Sequence, residues 1–414
     1  MIDPVWKASC LMCLSSALLG PLLLVRKKTL LGEALSHACY PGVVIGVILS
    51  FMFIRDGASF FSVLLGGGIS SYLAIVSIDF LKKNRVPLDG ALSFILSGFF
   101  AVGLFIASLL QRSHPKIYRE IQCYLLGQTA TMVDFHVTIY TIFTLFLIGS
   151  LFLFYRPIHT FLFQSDYAKS IGIPIKKIDR LIAILVVLSI QIGLRSVGIV
   201  LMSAMLIAPA VAARQLAYRL PAIFFLSALF GSCSGFLGNL LSFAYSLPPG
   251  PLIAIVGSMF ALTSLLFAPK QGFFFRLMRI GNFKYRCLEE NVLKNLWKEG
   301  PLPFKVFRKK HPVHPLFLTF ILHRLIQSGW VKKSKGSYLL TKDGEMKALK
   351  IVRIHRLWEV YLADHLGIGV EKVHRSAEEM EHIITEEMEK KLSQFLSHPL
   401  VDPHAQPIPQ QEGI

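Results

Sequence analysis

Residues 1–270 are a succession of apolar segments, each long enough to cross a membrane and separated by short polar breaks. About twenty consecutive apolar residues let an α-helix span the hydrocarbon core, where every backbone N–H and C=O must be satisfied within the segment. With 53% apolar residues in 414, the chain holds more apolar mass than a soluble core can bury, so a wholly soluble protein is excluded. The composition changes near Lys284. The remainder is charged, and nine of the 13 histidines fall after residue 300.

Spans are expected near 5–25, 34–54, 58–81, 88–110, 134–155, 180–194, 197–213, 221–246 and 251–268, eight or nine in all because the pair 180–194 and 197–213 is short. The first is read as a retained span, since no basic leader or small-residue cleavage site marks it for removal. The loops Arg26-Lys27-Lys28, Lys82 to Arg85, Arg156 to Arg180, and Arg214 with Arg219 carry the positive charge. The loops on the other side carry little, although 111–133 departs mildly from the pattern. Positive loops face the cytoplasm, so the N-terminus is expected outside and residues 270–414 in the cytoplasm, with the spans in the cell's inner membrane. The six cysteines are scattered. Cys10 and Cys13, a lone CxxC in a span, read as small packing residues.

Glu33, Ser36 and His37 open the second span. Residues three and four apart share a helical face. An acid and an imidazole at membrane depth are costly unless they face a cavity or each other, and both bind first-row divalent metals. The same pair is equally consistent with an interfacial helix start, with Glu33 favouring the helix dipole.

The stretch Gly32-Glu-Ala-Leu-Ser-His37-Ala-Cys-Tyr-Pro41-Gly42-Val43 resembles the signature of permease subunits of zinc/manganese/iron ABC importers. Tyr124 to Gly127, Ala168 to Gly172, and Val197-Gly198 through Arg214 add to the resemblance, which covers about residues 5–270. It implies that Glu33 and His37, with Ser36, line the path of Mn²⁺, Fe²⁺ or Zn²⁺, with Glu standing where the family usually has Asp. It also implies that the loop around Ala168 and Gly172 docks an ATPase. No G-x-x-x-x-G-K-[ST] phosphate loop occurs, so ATP hydrolysis would fall to a separate subunit and the chain itself is not an enzyme. A second permease copy or a related permease, and an extracytoplasmic metal-binding protein, complete the implied partners.

Residues 271–286 are aromatic and basic, as suits an interfacial helix or a simple tether. Beyond them, helices are expected over Leu288–Glu299, Phe304–Lys310 and Leu316–Ser328. A hairpin with its tip near Gly336 follows, and then a helix capped by Thr341. Three helices and a hairpin make a winged helix-turn-helix over 287–350. The third helix, with His314, Thr319, His323 and Arg324, would lie in a DNA groove, and Lys332, Lys333 and Lys335 would lie near phosphates. Use of the same fold for protein contacts stays open.

In 351–414, His355 and Glu359 share one helical face, and His374, Glu378, Glu381 and His382 share another. Two such faces opposite each other would present three imidazoles and three carboxylates, a donor set for Mn²⁺ or Fe²⁺. Solvated charge is the competing account of Glu-rich helices. The stretches His355 to Leu362, Val373 to Ile383 and His398 to Pro409 resemble the diphtheria-toxin-repressor family of iron- and manganese-dependent regulators. The resemblance implies that His355, Glu378, Glu381 and His382 hold the effector metal, that Glu359 and His374 belong to a second site, and that the domain dimerises. It departs at the first helix, where Asn291 and Lys294 occupy ligand positions, leaving Glu289 or Glu290 as substitutes. It departs also at Leu316 and Phe317, where small polar residues are usual.

The expected fold class is therefore an all-α polytopic membrane domain (1–270), a linker (271–286), a cytoplasmic winged helix-turn-helix and a helical metal-binding and dimerisation domain. The expected function is a divalent-metal importer permease fused to a metal-dependent repressor that proteolysis near 270–286 could release. Regulation of transport in cis by the attached domain, without DNA, is the alternative.

Overall fold

The computed structural model describes residues 4–53, 59–129, 132–369, 373, 377–378 and 380–410. It divides into two compact units, Met1–Phe275 and Arg276–Ile414. The loop Arg55-Asp56 and the candidate ligand His374 lie outside the described residues.

The first unit is helical: α1 (Pro4–Val25), α2 (Thr29–Ala38), α3 (Tyr40–Phe53), α4 (Phe60–Lys83), α5 (Leu88–Ser113), α6 (Pro115–Leu126), α7 (Asp134–Leu153), α8 (Tyr155–Phe163), α9 (Ser165–Ser170), α10 (Ile175–Val197), α11 (Ile199–Leu216), α12 (Leu220–Tyr245) and α13 (Pro249–Phe267). Eight helical stretches among the described residues are long and apolar enough to cross a membrane, with α2 and α3 counted together. The short pair expected around residue 196 resolves unequally. Its first member lengthens to the full span α10, while α11 is a shorter apolar helix, and Gly198 between them turns the chain with φ +86°. The span expected to start at 34 begins at Thr29 and breaks at Cys39. Pro41 has no N–H to give the carbonyl of His37, so one continuous helix would leave that group without its usual partner.

Inside the unit, α1 packs against α12, α11 and α7, and α3 packs against α4 and α5. Lipid tails supply no hydrophobic drive between helices, so close backbone approach at small residues does the work. A Cβ on Gly42 of α3 would lie 2.0 Å from the carbonyl oxygen of Gly66 on α4, so only glycine fits there. Outward, large side chains such as Phe152 and Phe243 are more than four-fifths exposed, as a lipid-facing surface requires. The segment 111–133, which departs from the charge pattern, contains the amphipathic helix α6, which packs on α3, α5, α10 and α11 rather than spanning.

In the second unit, α14 (Phe273–Glu299) is followed by β1 (Leu302–Pro303), α15 (Phe304–Lys310), α16 (Pro315–Gln327), β2 (Val331–Ser334), β3 (Ser337–Leu340), α17 (Lys342–Asp364) and α18 (Glu386–Phe395). The stretch expected as a linker is helical, being the first half of α14. The strands form an antiparallel sheet in the order β1-β3-β2, with Ser334 opposite Ser337. A two-residue turn of Lys335 (φ +48°) and Gly336 (φ +80°) joins them. Positive φ at both positions is the turn that matches strand twist, and Gly336 supplies the second at no steric cost. Val292, Leu296, Phe307, Leu318, Ile321 and Leu325 build the core of this helix-and-hairpin body. Thr341 caps α17, its hydroxyl accepting from the Gly344 N–H at 3.2 Å.

Candidate functional sites

Glu33 and His37 lie one turn apart on the short helix α2, both partly exposed. The Ser36 hydroxyl is buried and donates to the Glu33 backbone carbonyl at 2.8 Å, so it braces the helix turn instead of pointing a donor at Glu33's carboxylate. The His37 ring stands edge-on to Phe100 of α5, with centroids 4.6 Å apart. Its Nδ1 is buried with no hydrogen-bond partner among the described residues, and the Tyr40 hydroxyl beside Phe100 is in the same condition. Buried polar atoms are almost always paired, so the unpartnered imidazole nitrogen stands out on this face of α2. Nothing in the sequence singles out Phe100, which sits in an apolar run, whereas Tyr40 falls inside the signature stretch Gly32 to Val43.

Two basic residues of the first charged loop do more than set topology. Arg26 and Lys28 both pair with Asp179 at the start of α10, the lysine at 3.3 Å. On the inner loop, Ala168 is fully buried in α9. Gly172 ends that helix with φ +80°, its N–H donating to Lys169 and that of Ile173 to Ala168. Tyr167 and Ile171 are more than half exposed beside them. The two residues singled out from the sequence thus shape the loop, while their neighbours form its surface.

In the second unit, the expected metal face of α17 meets α14 and the chain before α18. His355 is 3% exposed, Glu359 2% and Glu381 4%. His355 Nε2 lies 3.1 Å from Glu359, and its Nδ1 is hydrogen-bonded to Glu381. His382 Nδ1 is 2.6 Å from Glu290, the residue anticipated as a substitute on the first helix. The centre of the cluster is Lys294. Its ammonium donates to both Glu381 oxygens, at 3.0 and 2.8 Å, and lies 3.2 Å from His355 Nδ1. Glu378 is exposed, and its charge acts on Lys298 one turn along α14, together with those of Glu381 and Glu359.

Burial opposes charging of His355, but its contacts with Glu359 and Glu381 outweigh this and raise its pKa. Burial would raise Glu381, yet His355 and Lys294 hold its carboxyl below the usual range. The oxygen and nitrogen donors have the chemistry for Mn²⁺ or Fe²⁺. Among the described residues, which leave out the candidate ligand His374, their arrangement does not fit one. Among the described residues no three His, Cys, Asp or Glu side chains are disposed to hold a metal, because these groups satisfy one another and Lys294.

Two buried arginines on the same helix tie down the C-terminal segment. Arg353 pairs with Glu389 at 3.0 Å and donates to Ser393 and the Pro409 carbonyl. Arg356 faces Asp402 at 3.4 Å and donates to Gln406 and the Pro407 carbonyl. On the helix-and-hairpin body, His314, Thr319, His323, Lys332, Lys333 and Lys335 are exposed. Arg324 is exposed too but stacks over Tyr285, 5.0 Å from the ring centre. Leu316 and Phe320, 74% and 55% exposed, share the open surface of α16.

A family profile described as "ABC 3 transport family" matches residues 1–268, and one described as "Iron dependent repressor, metal binding and dimerisation domain" matches residues 341–410. A Chlamydia trachomatis protein named "Probable metal transport system membrane protein" is 36% identical over 97% of this chain and 94% of its own length. The Bacillus subtilis "Manganese transport system membrane protein MntC" is 29% identical over 86% of this chain and 82% of its own. Among solved structures, PsaBC from Streptococcus pneumoniae in complex with Fab matches 64% of this chain and 91% of the compared chain, with a TM-score of 0.57 and 26% identity.

Proposed function

The chain belongs to the ABC 3 transport family, with an iron-dependent-repressor domain fused behind the permease, and on that premise we propose that it is the permease subunit of an ATP-driven importer of Mn²⁺, Fe²⁺ or Zn²⁺ in the inner membrane. The observation that carries this is the unpaired, buried Nδ1 of His37 one helical turn from Glu33. A metal cargo would bind there transiently from a solute-binding protein. An ATPase subunit would dock on the inner loop at the exposed Tyr167 and Ile171, shaped by Ala168 and Gly172. The test is ATP-dependent metal uptake in proteoliposomes holding this chain and the ATPase. His37→Ala should cut uptake by about tenfold or more, the scale of removing a supporting group from a metal site. Uptake by the chain alone, without ATP, would refute the reading.

The second unit reads as a cytoplasmic, dimeric transcription regulator, with α16 facing a DNA groove and the β2–β3 hairpin reaching phosphates. Its support is the exposed polar edge of α16 and the three lysines of the hairpin. Full-length protein in detergent should shift DNA from its own promoter. Residues 273–284 are exposed throughout, which suits release of the regulator by proteolysis. A C-terminal epitope should then report a soluble fragment, and full-length protein only, in both metal-rich and metal-poor cells, would count against release. A second reading is regulation in cis by the attached unit. In that case metal on the cytoplasmic face slows uptake in vesicles and His382→Ala relieves it.

A further inference from the structure

We propose that Lys294 is a tethered cation standing in for the effector metal, so that the charged cluster of the second unit assembles in metal-free protein. This rests on reading that unit as a regulator of the iron-dependent-repressor type. Lys294 is on the first helix of the unit, where the sequence places a lysine at a ligand position of that family. Its side chain is 5% exposed and that of Glu381 is 0% exposed. The ammonium donates to both carboxylate oxygens of Glu381, at 3.0 and 2.8 Å, and its nitrogen lies 3.2 Å from His355 Nδ1.

Charge accounts for the rest. Three carboxylates, Glu290, Glu359 and Glu381, face three nitrogen bases, Lys294, His355 and His382. Lys294 thus sets a positive charge directly against the buried Glu381 carboxylate with no metal present. Lys298, one turn on, adds a further positive charge that acts on Glu359 and Glu381. A divalent ion entering here would meet two ammonium groups and find the carboxylates already engaged. Removing one partner of a buried ion pair leaves the other charge uncompensated, which costs far more than the intact pair contributes. Lys294 therefore closes the seam between α14, α17 and the chain before α18 by the same electrostatics that a bound metal would use.

The experiment is hydrogen–deuterium exchange on the full-length protein in detergent, with chelator or with Mn²⁺, following peptides around 290–299, 350–360 and 380–389. Wild type should be protected in chelator and change less than about twofold on adding Mn²⁺. Lys294→Met should exchange at least about tenfold faster in chelator. The double variant Lys294→Met/Glu381→Gln, which removes both charges, should regain most of the protection. Two results would overturn the proposal: wild type open in chelator and closed by Mn²⁺, or Lys294→Met as protected in chelator as wild type. If Mn²⁺ also closes Lys294→Met, one substitution has recovered a metal-dependent switch and the lysine's role is confirmed directly. If the double variant closes and Mn²⁺ does nothing to Lys294→Met, the lysine's role stands and the reading of the unit as a metal sensor falls.

Discussion

At the scale of single residues, the chain uses buried charge in two different ways. Arg353 and Glu389 are 4% and 3% exposed in their side chains and fully engaged. Arg353→Ala should destabilise the second unit by about 3–5 kcal/mol, the usual cost of orphaning a buried charge. Faster exchange in 386–410 would register it. His311 shows the opposite logic. Its Nε2 lies 2.9 Å from the Asn295 side-chain amide, an arrangement that suits the neutral ring as acceptor. Burial, and then the neighbouring Lys310, lower its pKa. Protonation is thus disfavoured in the folded state, and the unfolded chain binds the proton more readily. The contribution of His311 is present above its unfolded pKa of about 6.5 and is lost as pH falls through the lower folded value. Protection in 295–311, taken relative to the intrinsic exchange rate at each pH, should therefore fall between pH 7 and 5, and His311→Gln should flatten that dependence.

At the scale of elements, the membrane helices are held by close approach. Gly42→Val would drive a side chain into the Gly66 backbone, which cannot yield as a flexible side chain would. Overpacking of this kind costs about 1–3 kcal/mol or more, so the variant should show a lower thermal midpoint in detergent and reduced uptake. In the hairpin, the lysines are exposed, with Lys333 lying over the ring of Tyr338 at 5.6 Å. Changing Lys332, Lys333 and Lys335 to Ala should weaken DNA binding evenly across sequences. It should also flatten the salt dependence, by about 0.9 in slope for each phosphate no longer neutralised. Unchanged salt dependence would mean that the hairpin touches no nucleic acid. The exposed Leu316 and Phe320 read few hydrogen-bond codes, so discrimination between sites should rest on His314, Thr319 and His323.

At the scale of the whole molecule, a transport unit and a regulatory unit share one polypeptide, each with its own carboxylate-and-imidazole grouping. In the first, the imidazole keeps an unpaired nitrogen. In the second, every described member of the cluster is engaged, with a lysine among them. A regulatory cluster that fixes three chain segments gains from being closed. Chelation of wild-type protein should accordingly leave the second unit folded, while depleting metal abolishes binding at the first, measurable by metal stoichiometry of the purified protein.

Much of this was legible in the sequence for local reasons. Apolar run length set the spans, i and i+4 spacing put Glu33 with His37, and Gly336 marked the hairpin turn. The span expected over 34–54 is present as Thr29–Phe53, but local rules did not show its break at Cys39, and in 111–133 charge alone did not reveal the packed helix α6. The cluster around Lys294 could not be read locally at all. Its bonds to His355 and Glu381 join residues 61 and 87 apart in the chain. Spacing lays out which donors share a face of a helix. Only the packing of three separate segments decides what that face meets, and here it meets an ammonium group.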